Sequence, residues 1–220
     1  MRNSKGFTLI EIIVAVALVA ILSAAVAPSV LNNISQGRIA RAQSDVQAIA
    51  SAIMRFKADT GVFPRLPSPK APDTGINKIR FLASDSGSAL PAALTAAKWP
   101  STGGYTSATG AAASFEGMNN HLVLGINTNG TTATDSYPRV PSTKRDDPNA
   151  VGFRGGLLSA ATNDPWGKAY LCNVYALDYP GEACWVISAG PNGVVETDVA
   201  TTGTGAATTL VNDDVGFRVQ

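Results

Sequence analysis

From Phe7 to Pro28 the chain reads FTLIEIIVAVALVAILSAAVAP, and the only ionisable side chain in that stretch is Glu11. No further charge follows until Arg38. A helix needs about 20 apolar residues to cross a hydrocarbon layer of about 30 Å, so residues 7–27 are long enough to span one. Arg2 and Lys5 stand ahead of the run, a basic head that the positive-inside rule keeps in the cytoplasm while the rest of the chain goes outward. Three readings compete. A secretory signal peptide shares the basic head, and Ala24, Ala25 and Ala27 imitate its cleavage site, but its apolar core is usually about 7–15 residues. A buried core helix that is apolar all round is hard to accommodate at the N-terminal end of a small domain. A plain membrane anchor leaves Glu11 unexplained. A carboxylate costs about 2.5–3.5 kcal/mol near a bilayer centre, less toward the interface, and such a residue usually has a partner. The nearest available cation is the amine that a cut just before Phe7 would create.

The stretch Lys5-Gly6-Phe7-Thr8-Leu9-Ile10-Glu11 resembles the cleavage and methylation signature of the type IV pilin family, which includes type IV pilins and the pseudopilins of type II secretion. The resemblance implies that a prepilin peptidase removes residues 1–6 after Gly6, that Phe7 becomes an N-methylated terminus, and that Glu11 contacts the N-terminal amine of a neighbouring copy. The cut would take away Arg2 and Lys5, turning the formal charge from +1 to −1, with 15 basic against 16 acidic side chains. The freed amine would neutralise Glu11 of another copy in a low-dielectric fibre core, where pairing matters most.

Beyond Pro28 the periodicity changes. Ile39, Ala42, Val46, Ile49, Ile53 and Phe56 follow a 3-4-3-4-3 spacing, with Arg38, Arg41, Asp45, Arg55 and Lys57 off the stripe, which predicts an amphipathic helix over 28–60. Pro28 and Gly37 are its weak points. The stripe suits a sheet from the same chain; a coiled-coil seam is the other reading, with only about two and a half heptads to support it. Gly61 breaks the helix. The run SDVQAIASAIMRFKADTGVFP over 44–64 resembles the helix end of major pseudopilins. Residues 65–161 are rich in Gly, Pro, Ser, Thr and Ala, with Pro67, Pro69, Pro72, Pro91 and Pro100 as breakers, and read as an insertion relative to that family. Within it, His121–Ile126 is either a strand or a buried helical turn.

Pattern returns at Asn163-Asp164-Pro165-Trp166-Gly167, which has turn chemistry. Lys168–Leu177 and Ala183–Ser188 are strand-like, and Tyr179-Pro180-Gly181 supplies a turn between them, so the pair predicts a hairpin. DPWG followed by Ala169-Tyr170, and later Ser188-Ala189-Gly190-Pro191-Asn192-Gly193, resembles the C-terminal half of major pseudopilins of type II secretion. Cys172 and Cys184 fall one on each strand. Outside the cytoplasm they are expected to form a cross-hairpin disulfide; two buried free thiols are the alternative. Asn192, Glu196, Asp198, Asp213 and Asp214 offer oxygen ligands near flexible glycine turns, the donor type a hard cation takes. The resemblance implies Ca2+ in that loop; a solvated acidic loop is the other reading.

A charge near zero and 15% charged residues remove the electrostatic case for nucleic acid as a partner. There is no GxSxG, P-loop, GxGxxG after a strand or HExxH, and His121 is the only histidine, so no catalytic residue is assigned and the chain is not expected to be an enzyme. Asp146 and Asp147, like Asp213 and Asp214, are adjacent acids in loops rather than a placed catalytic pair. Asn129-Gly130-Thr131 matches a sequon too common to carry weight. The fold expected is an α+β, pilin-like one: a long N-terminal helix, transmembrane then amphipathic over 7–60, packed on a small antiparallel sheet of a periplasmic domain, 61–220. The function expected is a structural subunit of a type II secretion pseudopilus, single-pass in the bacterial inner membrane before assembly. Its partners would be further copies of itself, minor pseudopilins and the inner-membrane assembly platform. A type IV pilin of an adhesion, motility or DNA-uptake filament is the alternative, as is a membrane-anchored binding module.

Overall fold

The computed structural model describes residues 6–64, 81–84, 90–92, 94, 105–106, 112–113, 116–125, 137, 139–144, 147, 149–178, 183–198 and 209–219. Arg2, Lys5, Asp146, the Asn129–Thr131 sequon and the Tyr179–Gly181 turn lie outside them. Helix α1 runs from Leu9 to Thr60 and passes through Pro28 and Gly37 without a break. Its C-terminus is built from local chemistry. Gly61 adopts φ +75° and its N–H bonds the Lys57 carbonyl at 2.8 Å, the left-handed stop that glycine permits. The Thr60 hydroxyl donates to the Phe56 carbonyl at 2.6 Å, satisfying another end group.

The chain divides into two compact units, Met1–Ala40 and Arg41–Gln220, so the division falls inside α1 rather than at its end. In the first unit the described residues 6–38 are all exposed. In the second, the predicted stripe is the buried face: Ala42, Val46, Ile49, Ile53 and Phe56 are all nearly inaccessible, with Ala50 and Ala52 beside them.

That face packs on a five-stranded sheet. Strands β1 (Leu82–Ala83), β4 (Glu116–Gly117), β5 (Leu171–Cys172), β6 (Trp185–Ser188) and β7 (Val215–Arg218) lie in the order β4-β1-β5-β6-β7, while β2 (Tyr105–Thr106) and β3 (Ala112–Ala113) form a separate antiparallel pair. Four of the five are antiparallel, as expected for a pilin-like α+β fold; β4 adds a parallel edge beside β1. The period-2 alternation sorts side chains to two faces. Leu82, Cys172, Cys184 and Val186 join the helix stripe in one core. Ala83, Leu171, Trp185 and Ile187 join Phe81, Val195 and neighbours in a second, with Leu90 and Leu94 packed against it. Burial on both faces explains why the β6 region reads as a continuous apolar run.

One expectation is corrected and one open choice is decided. The strand over 168–177 shrinks to β5, because Val174–Asp178 turns into a 3-10 helix. Of the two readings left open for 121–126, the described part takes the helical one, a π-helix over Asn120–Leu124, and Ile126 lies outside the described residues. The described residues of the 65–161 segment supply β4 and β1, at one side of the sheet, and buried Met118, Leu122, Tyr137 and Phe153. Phe56 meets Tyr137 edge-on at 4.7 Å between ring centres and Phe153 at 6.1 Å.

Candidate functional site

The site with most sequence specificity is the start of α1. Thr8 is the residue before the helix, and Glu11 stands three positions on. Glu11 Oε2 accepts from the Thr8 backbone N–H at 2.8 Å and from the Thr8 hydroxyl at 2.8 Å, while the Glu11 N–H points to Thr8 Oγ1 at 3.4 Å. This is a reciprocal capping box, which satisfies end groups that the first turn leaves without helical partners. It also places an anion at the positive end of the helix dipole. The Thr-x-x-Glu spacing was visible in the sequence, but its capping role emerges only with the geometry. A carboxylate has room for about four hydrogen bonds, so the Thr8 contacts leave acceptor capacity on Glu11 for a further donor. Gly6 and Phe7 precede the box and are exposed, Phe7 at 84%.

An 18-residue window of α1 has mean hydropathy 2.8, with none of it buried inside the chain. The helix is thus long and apolar enough to cross a membrane.

The cysteines come together without bonding. Cys172 lies in β5 and Cys184 directly precedes β6; both are fully buried, both are free, and their Sγ atoms are 3.9 Å apart. Burial, with Cys184 adding to it, pushes the Cys172 thiol well above the ordinary thiol range.

The C-terminal acids are partly gathered. The Asn192 amide nitrogen donates to Asp213 Oδ1 at 2.7 Å and to Glu196 Oε1 at 3.1 Å, and the Asn192 N–H donates to Asp213 Oδ2 at 3.1 Å. Asp214 Oδ2 accepts the N–H groups of Glu196 and Thr197 at 3.0 and 2.7 Å. Asp214 Oδ1 is buried with no hydrogen-bond partner, and burial raises the carboxyl above its usual range against the lowering effect of Thr197 and the Glu196 amide. Gly190, at φ +64°, lets the loops close: a Cβ there would sit 2.1 Å from the Asp213 carbonyl oxygen. Asp198 is exposed and set apart from these contacts. Among the described residues no three His, Cys, Asp or Glu side chains stand close enough to hold a metal. The donors suit calcium in kind, and an amide donor fills the place between two of them.

Residues 1–27 match the model for the prokaryotic N-terminal methylation motif. The chain is 41% identical over 63 residues to type II secretion system core protein G of Pseudomonas aeruginosa, a match covering 29% of this chain and 44% of that one. The core protein G of Vibrio cholerae is 36% identical over 64 residues, again 29% and 44%, and that of Escherichia coli K12 is 32% identical over 62 residues, 28% and 43%. The chain thus spans less than half the length of the curated relatives it matches. No solved structure matches it. With its methylation motif, its long apolar helix and its antiparallel sheet, the chain is pilin-like, akin to the G-type pseudopilins of type II secretion.

Proposed function

We propose that this chain is a structural subunit of a type II secretion pseudopilus. Residues 7–27 anchor it in the bacterial inner membrane in a single pass, with the unit that carries the sheet in the periplasm. A prepilin peptidase cuts between Gly6 and Phe7, Phe7 is methylated, and copies then stack through their apolar segments in contact with minor pseudopilins and the assembly platform. The observation that carries this reading is Glu11, a carboxylate inside an otherwise apolar run, capped by Thr8 and lying within the matched motif. A simple anchor has no use for that acid; a stacked fibre does, because each freed amine meets one in a dry interior. Glu11→Ala is expected to insert in the membrane normally and to form no filaments, read by fractionation and electron microscopy. Filaments from that variant would remove the recruiting role, and with it the preference for a fibre over a tethered binding module.

Two further parts of the reading concern the globular unit. Cys172 and Cys184 become a disulfide in an oxidising compartment, supported by their 3.9 Å approach on one face of the hairpin; a bond requires closure to about 2.05 Å. Alkylation of both thiols in unfolded protein taken from the periplasm would contradict it. Asn192, Glu196, Asp213 and Asp214 would hold calcium once the three carboxylates drew closer together than they stand here, a reading supported by the partnerless Asp214 Oδ1 and by the convergence of Glu196 and Asp213 on one amide. Calorimetry is expected to show a higher unfolding temperature with calcium than with a chelator. Equal temperatures would contradict it.

A further inference from the structure

The turn over 190–194 and the turn that leads into Asp214 are each held by their own backbone. Gly190 and Gly193 take φ +64° and +69°, the Gly193 N–H bonds the Gly190 carbonyl at 3.3 Å, and the Gly193 carbonyl accepts the Ala92 N–H at 2.9 Å. Across from them Asn212 takes φ +54°, and the Asp214 N–H bonds the Val211 carbonyl at 3.3 Å. One residue joins the two turns. The Asn192 N–H and its side-chain amide each donate to a different oxygen of Asp213, at 3.1 and 2.7 Å, so a single residue 21 positions away meets both oxygens of that carboxylate. The same amide nitrogen donates to Glu196 Oε1 at 3.1 Å, and the amide oxygen accepts the Val194 N–H at 2.7 Å. The three side-chain bonds fix which way the amide faces. Exchanging its oxygen and nitrogen would set an acceptor against two carboxylates and a donor against an N–H.

We propose that the Asn192 amide stands in for a cation: it closes these two turns on one another without metal, and any calcium that binds there must displace it. Converging carboxylates repel, and a donor or a cation between them offsets that repulsion. The amide brings two N–H donors and no charge, so it satisfies the oxygens without neutralising them. Calcium takes about 6–8 ligands, all of them oxygen, and an amide nitrogen offers it nothing. Entry of the ion therefore requires that nitrogen to leave, and its bonds to Asp213 and Glu196 are lost in exchange. Metal-free closure and calcium binding thus compete for the same two carboxylates. An aspartate at 192 reverses the balance, because it keeps an oxygen for the Val194 N–H, removes the donor and adds an anionic ligand. The calcium half of this inference rests on the ion site of the proposed function; the metal-free half does not.

The test is calorimetric unfolding of the full chain in detergent micelles, first in excess chelator and then in calcium chloride. In chelator, Asn192→Asp and Asn192→Ala should each unfold about 2–4 °C below the unsubstituted chain. Combining Asn192→Asp with Asp213→Asn exchanges donor and acceptor across the same gap and should recover part of that loss. Titration calorimetry should then show calcium binding Asn192→Asp about tenfold more tightly than the unsubstituted chain, since ligand charge tunes such sites, with no such gain in Asn192→Ala. An unchanged unfolding temperature for Asn192→Asp in chelator, no recovery in the double variant, or an equal tightening of calcium binding by Asn192→Ala would each overturn the proposal. Calcium that leaves the unsubstituted chain and every variant unaffected would remove the ion site instead, and the chelator series would still decide the role of the amide.

Discussion

Residues 12–31 and 42–56 of α1 are both rich in apolar side chains, yet Ile12 is 53% and Leu22 64% exposed in the single chain, whereas Ile53 and Phe56 are inaccessible. The first stretch is apolar around its whole circumference; the second is apolar on one stripe. A stripe can be covered by one sheet, and here β1, β5 and β6 cover it from the same chain. A cylinder that is greasy all round has no such remedy within a small domain, and under the proposed function lipid or other copies of the chain would cover it. One continuous helix therefore carries two kinds of specification, one completed by folding and one by the environment.

The contrast makes a graded set of expectations. Phe56→Ala removes a ring that touches Tyr137 and Phe153 in the covered half, and should cost about 3–5 kcal/mol in chemical unfolding followed by tryptophan fluorescence. A loss near zero would mean that the stripe is not the core. His121 gives an intermediate effect. It is fully buried against the Tyr137 hydroxyl at 2.8 Å, and desolvation pushes its pKa down to about 3. The unfolded chain, near pKa 6.5, therefore binds more protons below that pH than the folded one does. Stability conferred by the neutral ring is full above pH 6.5 and falls as pH drops toward 3, by about 2 kcal/mol at pH 5. His121→Gln should lack that component of the pH profile; identical slopes for both proteins would exclude His121 as its source. The smallest effect belongs to the exposed half: Leu22→Ala should change the unfolding free energy of the sheet by less than about 0.5 kcal/mol.

What the sequence reveals follows the same division. The helix span, the buried stripe and the Gly61 stop are legible because they rest on period and local backbone chemistry, and α1 ends at Thr60 as that pattern implies. The 65–161 segment was opaque because β1 and β4 are two residues long, too short for any alternation to show, and are joined to the sheet by partners such as Cys172, 90 positions from Leu82. Val174–Asp178 has strand-like composition, yet tertiary packing coils it into a 3-10 turn. At the candidate site, Gly6, Phe7 and Glu11 were legible from a motif, while the Thr8 cap needed coordinates.

The most direct measurement is the intact mass of the protein isolated from its native host. Maturation for assembly predicts a chain that has lost Met1 to Gly6, begins at Phe7 and carries one added methyl group. A product that keeps its first six residues, or that starts beyond Ala27, would contradict the fibre-forming role of the apolar helix.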